Sequence, residues 1–262
     1  MITGAVVGFI IAVNTQIPIY GFICAAFAGA FLSVIFAILT QYLMSNQVAT
    51  GLGLTMVGLG LSALIGKPYE GIKSPTLTKL EIPILSDIPI LGPMIFSHDA
   101  IVYFSIFIIA LVAFVINKTR IGLVLRAVGE NQDAAHALGY KVIRIRFIAI
   151  MFGGATAGIG GAYISLARVP QWTEGMTAGA GWIALALVVF ASWKPWRVLI
   201  GAYLFGGITV LQLNLQAIGV AIPVEILSMS PYLVTIVVLV GISLFGHHTA
   251  PGSLARPFHA SQ

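Results

Sequence analysis

The stretch Lys118–Arg146, KTRIGLVLRAVGENQDAAHALGYKVIRIR, decides how the rest of the chain is read. The chain has 13 basic and eight acidic residues, and this island between two long apolar segments holds six of the former and two of the latter. Within it lies an element legible residue by residue. Asn131 is a good N-cap, because its side-chain oxygen can accept from N–H groups that the first helical turn leaves unpaired. Asp133 follows in the first turn, where a carboxylate complements the positive end of the helix dipole. Gly139 supplies the left-handed residue that commonly ends a helix. The pattern predicts a helix over Asn131–Leu138 of about two turns, roughly 10 Å long. A capped connector between longer helices has the same pattern, so the element alone names no function.

Composition sets the class. Of 262 residues 59% are hydrophobic and 8% charged, with a mean hydropathy of +1.03, whereas a soluble domain is about 25% charged. The chain is therefore read as an all-α, polytopic integral membrane protein. Its net charge of +5 would suggest nucleic acid in a soluble protein. Here the basic residues sit in loops beside apolar spans, which points to cytosolic anchoring and to no nucleic-acid partner. Cys24 is the only cysteine and lies in an apolar run, so no disulfide framework or cysteine metal site is expected. The opening MITGAVVGFIIAV lacks a basic n-region and a polar cleavage region, so a cleaved signal peptide is not expected.

A membrane helix needs about 20 apolar residues to cross a core of roughly 30 Å. Met1–Val13 falls short of this, and Ile19–Met44 meets it. Asn46–Gly66 is glycine-rich and short of bulky residues, which favours an interior position with close backbone approach. The connection Lys67–Asp99 has three basic and four acidic residues and five prolines, and reads as an ordered, non-helical external loop. Ala100–Asn117 crosses to the island, which its excess of basic residues places in the cytosol. Phe147–Leu166 crosses back and contains the pair Gly154 and Gly158 at GxxxG spacing. Arg168–Gly179 is then external, and Ala180–Ser192 is a short or tilted span. Trp193–Arg197 is a tight cytosolic connection, Val198–Ala217 a further span, and Ile218–Pro231 an outer connection. Tyr232–Gly246 is the last span, with the tail His247–Gln262 inside. The expectation is about eight crossing segments in a single transmembrane domain over residues 1–262.

No charged residue falls inside these spans, only at their ends or beyond them. Intramembrane ionisable groups mark proton relays and ion-coupled carriers, so their absence argues against a proton-driven carrier. Energy must come from elsewhere, and the chain has no phosphate loop of its own. Gly66-Lys67 is preceded by Leu61 and followed by Pro68 where that pattern needs glycine and a hydroxyl residue. His247 and His248 are adjacent, not spaced i, i+4 as a zinc-binding helix face requires, and no Ser, His and Asp grouping suggests a triad. No catalytic or metal residues are assigned. Polar residues within spans are the candidates for a solute pathway: Gln47 and Thr50, and Thr209, Gln212 and Gln216, whose spacing puts them on one helix face. The same side chains would serve as interhelical glue.

The island resembles the cytoplasmic loop of permease subunits of bacterial ABC importers for simple sugars, nucleosides and branched-chain amino acids. The resemblance is carried by Arg126, Val128, Gly129-Glu130-Asn131, Ala134-Ala135 and Gly139. It extends over nearly the whole chain through NQVATGLGLT from Asn46, IPILSDIPILGPMIF from Ile82, GGATAGIGGAYISL from Gly153 and WTEGMTAGAGWIALALVVFASWKP from Trp172. Within that superfamily the chain looks closest to nucleoside permeases that work with basic-membrane-lipoprotein binding proteins.

The resemblance implies that the loop is a coupling helix docking into an ATPase, with Arg126, Gly129, Glu130, Asn131, Ala134, Ala135 and Gly139 as the contact. It implies a second permease subunit, a separate ATP-binding cassette ATPase that holds ATP and Mg, an extracytoplasmic solute-binding lipoprotein, and a multi-pass location in the inner membrane among its lipids. A branched-chain amino-acid or simple-sugar permease is the alternative, and a stand-alone channel or secondary carrier is the reading from another class. Members of this group begin with another membrane helix, so the resemblance also implies that the chain opens after the usual start.

Overall fold

In the computed structural model the described residues are 1–75, 77–81, 97–177, 179–219 and 250–258, with Pro223, Ile226, Met229, Leu233, Ile236, Val237, Val240 and Gly241. In chain order the elements are α1 (Ile2–Thr15), α2 (Pro18–Ala37), α3 (Gln47–Gly66), β1 (Lys79–Glu81), β2 (Ser97–Asp99), α4 (Ala100–Lys118), α5 (Arg120–Glu130), α6 (Gln132–Ala137), α7 (Val142–Tyr163), α8 (Ala180–Phe190) and α9 (Pro195–Ala217). The helices α2 and α7 each run on into a π-turn, Ile38–Tyr42 and Ile164–Arg168. The described residues form two compact units, Met1–Phe104 with Ala127–Ala178 and Ser253–Gln262, and Ser105–Arg126 with Gly179–Gly252.

The first unit is built round α1, whose Ala5, Val6, Phe9 and Ala12 are fully buried, with Phe22, Ala25, Ala162, Leu166 and Trp172 completing the core. At the seam where α1, α2 and α7 come closest, glycines let backbone meet backbone between these buried side chains. A Cβ on Gly4 would strike the Gly158 backbone, one on Gly29 would strike the Gly154 carbonyl, and one on Gly161 would strike the Met1 carbonyl. The GxxxG pair of α7 thus packs backbone against backbone, the close approach that small residues permit. Ser165 closes the seam by donating its hydroxyl to the Ala5 carbonyl at 2.9 Å.

Beyond the seam, two segments read from sequence as external lie side by side. Glu70 bridges Trp172 and Lys73 bridges Gln171, Ser74 N donates to the Pro170 carbonyl at 3.1 Å, and Gly66 lies directly under the buried Trp172 indole. The connection Lys67–Asp99 is not wholly without regular structure, since it has a 3-10 turn at Lys67–Tyr69 and a short antiparallel pair, β1 with β2. The two three-residue strands are a minor exception to an otherwise helical chain.

In the second unit Gly122 of α5 lies against the Val115 carbonyl and Ile116 of α4, so the single residue Thr119 can turn one helix tightly into the next. Ser192 and Trp193 take positive φ values of 49° and 57°, and Pro195 starts α9 at a position where its missing N–H costs nothing. Gly201 of α9 abuts the rings and methyls of Phe190 and Leu187.

Among the described residues five helices, Pro18–Tyr42, Gln47–Tyr69, Ala100–Lys118, Val142–Arg168 and Pro195–Ala217, are long and apolar enough to cross a membrane. The other expected segments include α1 and α8, which have only 14 and 11 residues, and Tyr232–Gly246, which lies outside the described residues save for a few positions. The glycine-rich α3 is not interior to this chain. It buries only Gly58, Ser62 and Gly66, and Gly53 and Gly60 face open space, because the short α1 covers only part of its length.

Candidate functional site

The island folds as three consecutive helical pieces. Helix α5 ends at Glu130, and Asn131, extended at φ −145° and ψ 100°, breaks it from α6. The Asn131 side-chain oxygen accepts from Asp133 N at 3.1 Å and Ala134 N at 3.0 Å, as a cap should. Asp133 lies in the first turn and His136 in the last. Gly139 has φ +86°, where a side chain would be strained, and its N–H donates to the His136 carbonyl at 2.8 Å. The result is a six-residue helix held between a polar cap and a glycine stop, slightly shorter than the two turns expected.

The exposure pattern of α6 sorts the residues singled out from sequence. Glu130, Asn131, Asp133, Ala134, Ala137, Leu138 and Gly139 are exposed, and Leu138 presents 76% of its surface, unusual for an apolar side chain on a soluble face. Arg126 is exposed one turn earlier on α5, and Gly129 is half-buried. Ala135 departs from the expectation. At 1% exposure it is packed with Val128, Val142 and Phe258, because i, i+3 spacing from Gln132 turns both residues inward. It sets how the helix lies, and the outward face belongs to Asp133, Ala134, Ala137 and Leu138.

Sequence reasoning missed what α6 lies on. The tail segment Ser253–Phe258 runs beneath it. Ser253 N donates to the Gly129 carbonyl at 2.9 Å, and the Ser253 hydroxyl accepts from Gln132 N at 3.0 Å. The Gln132 amide donates through Nε2 to the Pro257 carbonyl at 2.9 Å, while its Oε1 is enclosed without a donor among the described residues. Arg146 of α7 donates from its two terminal nitrogens to the Arg256 and Ser253 carbonyls, each at 3.0 Å. The buried Phe258 ring meets His136 edge-on, with centroids 5.3 Å apart. The available signal was Phe258 itself, an aromatic behind Arg256-Pro257 in an otherwise polar tail. His247 and His248 lie outside the described residues.

The pathway candidates fall in two places. Gln47 and Thr50 open α3 in the first unit, where the Thr50 hydroxyl donates to the Asn46 carbonyl at 2.8 Å and lies 2.8 Å from the Ser45 hydroxyl. Thr209, Gln212 and Gln216 are half-buried on α9 in the second unit, and the Thr209 hydroxyl donates back to the Phe205 carbonyl at 2.9 Å. Both threonines thus spend their donors on their own helices. Among the described residues no three His, Cys, Asp or Glu side chains gather as a metal site.

Comparison with known proteins bears on the whole chain. Residues 1–242 match the family described as branched-chain amino acid transport system, permease component. A Haloferax volcanii protein, TsgC13, named provisionally as a glucose ABC transporter permease, is 36% identical over 91% of this chain and 79% of its own length. The guanosine ABC transporter permease NupQ of Bacillus subtilis is 34% identical over 92% of this chain and 77% of its own. The nucleoside ABC transporter permease NupC of Lactococcus lactis is 31% identical over 86% of this chain and 74% of its own. No solved structure matches.

Proposed function

Because the chain belongs to the family of branched-chain amino acid transport system permease components, we propose that it passes a nucleoside through the membrane when a separate ATPase acts on α6. It is the multi-pass membrane permease subunit of an ATP-binding cassette transporter, not an enzyme. The observation that carries the docking reading is the capped, glycine-stopped α6 with its inner face anchored and its apolar Leu138 turned outward. Such a helix offers a rigid knob to a partner. ATP-driven closure of an ATPase dimer would move that knob and shift the pathway between two states to which the partner binds differently.

The whole chain serves as one permease domain, paired with a second permease and supplied by an extracytoplasmic lipoprotein at the Lys67–Asp99 face. ATP and Mg stay on the ATPase. Eight crossings remain the working topology, with five full helices, α1 and α8 as partial spans, and a last pass over Tyr232–Gly246. The contact set is Arg126, Gly129, Glu130, Asn131, Ala134 and Gly139, with Ala135 supporting it from beneath. Gln47, Thr50, Thr209, Gln212 and Gln216 are our candidates for the pathway. A neutral polar solute suits a chain whose spans hold amides and hydroxyls instead of charges.

The nucleoside reading draws on the NupQ and NupC likenesses, and a sugar is the second reading because of the 36% identical TsgC13. The test is uptake of labelled guanosine or uridine by cells producing the transporter, with unlabelled glucose, ribose and leucine as competitors. Guanosine and uridine should compete and the others should not; competition by glucose alone would move the assignment to sugars. Glu130→Lys and Ala134→Trp should abolish uptake at unchanged membrane level, and unaltered uptake in both would remove α6 from the coupling path.

A further inference from the structure

We infer that the tail segment Ser253–Phe258 is the second half of the coupling element, a strap that ties α6 to α7 so that force applied to the outer face of α6 moves α7. This rests on the docking reading above and goes beyond it by assigning a role to residues outside the island. Apart from its joints at Asn131 and Gly139, a six-residue helix held only by the small Ala135 against Val128 and Val142 has little to resist a push. The strap removes that freedom at three points. It closes the entry to α6, where Ser253 bonds both the Gly129 carbonyl and the Gln132 amide. It supports the middle, where the Pro257 carbonyl holds the Gln132 side chain and Phe258 fills the space against Ala135, Val128 and Val142.

The third point makes the strap a transmitter and not only a prop. Arg146 lies one turn into α7 and donates both arms of its guanidinium to tail carbonyls, at Ser253 and Arg256. Ser253 therefore bonds the α6 entry through its amide and hydroxyl, and α7 through its carbonyl. Displacement of α6 reaches α7 by a route of hydrogen bonds besides the Leu138–Lys141 connection, which is exposed along its length. Hydrogen bonds to a charged donor are the stronger kind. Ser253, Phe258 and Arg146 are positioning residues in this scheme, because none faces the ATPase or the solute.

The experiment uses the whole transporter in proteoliposomes, with Ser253→Ala, Phe258→Ala and Phe258→Leu compared with the native chain. Three quantities are read: ATP hydrolysis, solute uptake per ATP hydrolysed, and the yield of a cross-link between a cysteine at Leu138 and the ATPase in a Cys24→Ala background. The cross-link should form in every variant and hydrolysis should persist. Uptake per ATP should fall about fivefold to tenfold in Ser253→Ala and Phe258→Ala, and Phe258→Leu should restore most of it. Uptake per ATP unchanged in both alanine variants, with the cross-link intact, overturns the strap alone. Loss of the cross-link only in the alanine variants also overturns it, since the tail would then shape the docking face. Absence of the cross-link in the native chain overturns the docking reading itself. Ser253→Ala removes a single hydroxyl, so it answers the question even if Phe258→Ala does not assemble.

Discussion

Gly158→Ala should loosen the first unit at a point where two of its helices meet backbone on backbone, while Gly153→Ala, five residues away on the same helix, should not. The added Cβ at Gly158 would overlap the Ala25 carbonyl oxygen and stand 2.9 Å from the carbonyl carbon and 3.3 Å from Gly29 Cα. All of these are backbone atoms, so no rotamer change makes room. Bringing the 2.9 Å approach out to 3.4 Å, the near edge of ordinary contact, requires α2 and α7 to part by at least about 0.5 Å, and the nearer carbonyl oxygen demands more. A gap of that size forfeits about a quarter to a third of each contact's well. If the seam carries only the ~40–60 atom contacts of one buried leucine, at ~0.1–0.2 kcal/mol each, the loss is about 1 to 4 kcal/mol. Overpacking in well-filled cores costs a similar ~1–3 kcal/mol. At Gly153 nothing lies within 4 Å of the new Cβ, and alanine's better helix propensity is worth up to about 1 kcal/mol in the opposite direction.

The chain contains its own reporter for this comparison. Cys24 is the only cysteine and is half-buried on α2, next to the Ala25 whose carbonyl meets Gly158. Heating the detergent-solubilised protein with a fluorogenic maleimide therefore reads the opening of this seam. The midpoint should drop by about 2–16 °C in Gly158→Ala, using ~2–4 °C per kcal/mol for a chain of this size. In Gly153→Ala it should hold or rise. Equal midpoints in the two variants, or a Gly158→Ala midpoint above the native one, would refute the backbone-contact account of the seam.

Two further outcomes follow from the site. Asn131→Ala removes the cap of α6 at a cost of about 1 kcal/mol, and should raise tryptic cleavage at the exposed Lys141 and Arg144 in inside-out vesicles about fivefold; Asn131→Asp, which keeps the acceptor and adds a charge at the positive helix end, should not. Gln132→Met gives up the bond to the Pro257 carbonyl but relieves the orphaned Oε1, so amide exchange at Ser253 should change by less than about fivefold. Gln132→Glu sets a buried carboxylate against that carbonyl, and exchange should quicken by well over about tenfold.

The helical elements of the first unit were legible because each signal is local. Asn131, Asp133 and Gly139 mark the ends of α6 by their own backbone chemistry, and Gly154 with Gly158 announces close packing by spacing alone. What stayed hidden depends on partners distant in sequence. Glycine enrichment says that a backbone can be approached, not that this chain approaches it, and α3 shows the difference: Gly154 and Gly158 meet α2, while Gly53 and Gly60 meet nothing. Ala135 looked equivalent to Ala134 because adjacent alanines have the same composition. The packing of Ala135 on Val128, Val142 and the tail's Phe258, more than a hundred residues away, is what sets one facing in and the other out. The positive-inside assignment of the island and of the tail to one side was independent of their contact, and the bonds from Ser253 to Gly129 and Gln132 now join the two segments.

On the proposed coupling role, the same contacts would let a short loop helix act on a long span. With its π-turn α7 has 27 residues, a rod of about 40 Å at ~1.5 Å per residue. Its first turn bonds the tail under α6, its middle lies on α2 through Gly154 and Gly158, and its far end reaches Ala5 through Ser165 and Trp172 through the core. Side-chain contacts can absorb a small shift by changing rotamers, but the points in this interface where backbone meets backbone have none to change. A push at α6 that moves α7 must therefore carry α1 and α2 with it or break the seam. The deformable points are the π-turns at Ile38–Tyr42 and Ile164–Arg168, where the i→i+5 bonds from Leu43 to Ile38 and from Val169 to Ile164 replace the α-helical ladder. The three helices are thus expected to travel as one block whose ends flex, which makes the rigidity of the glycine seam a requirement for transport as well as for stability.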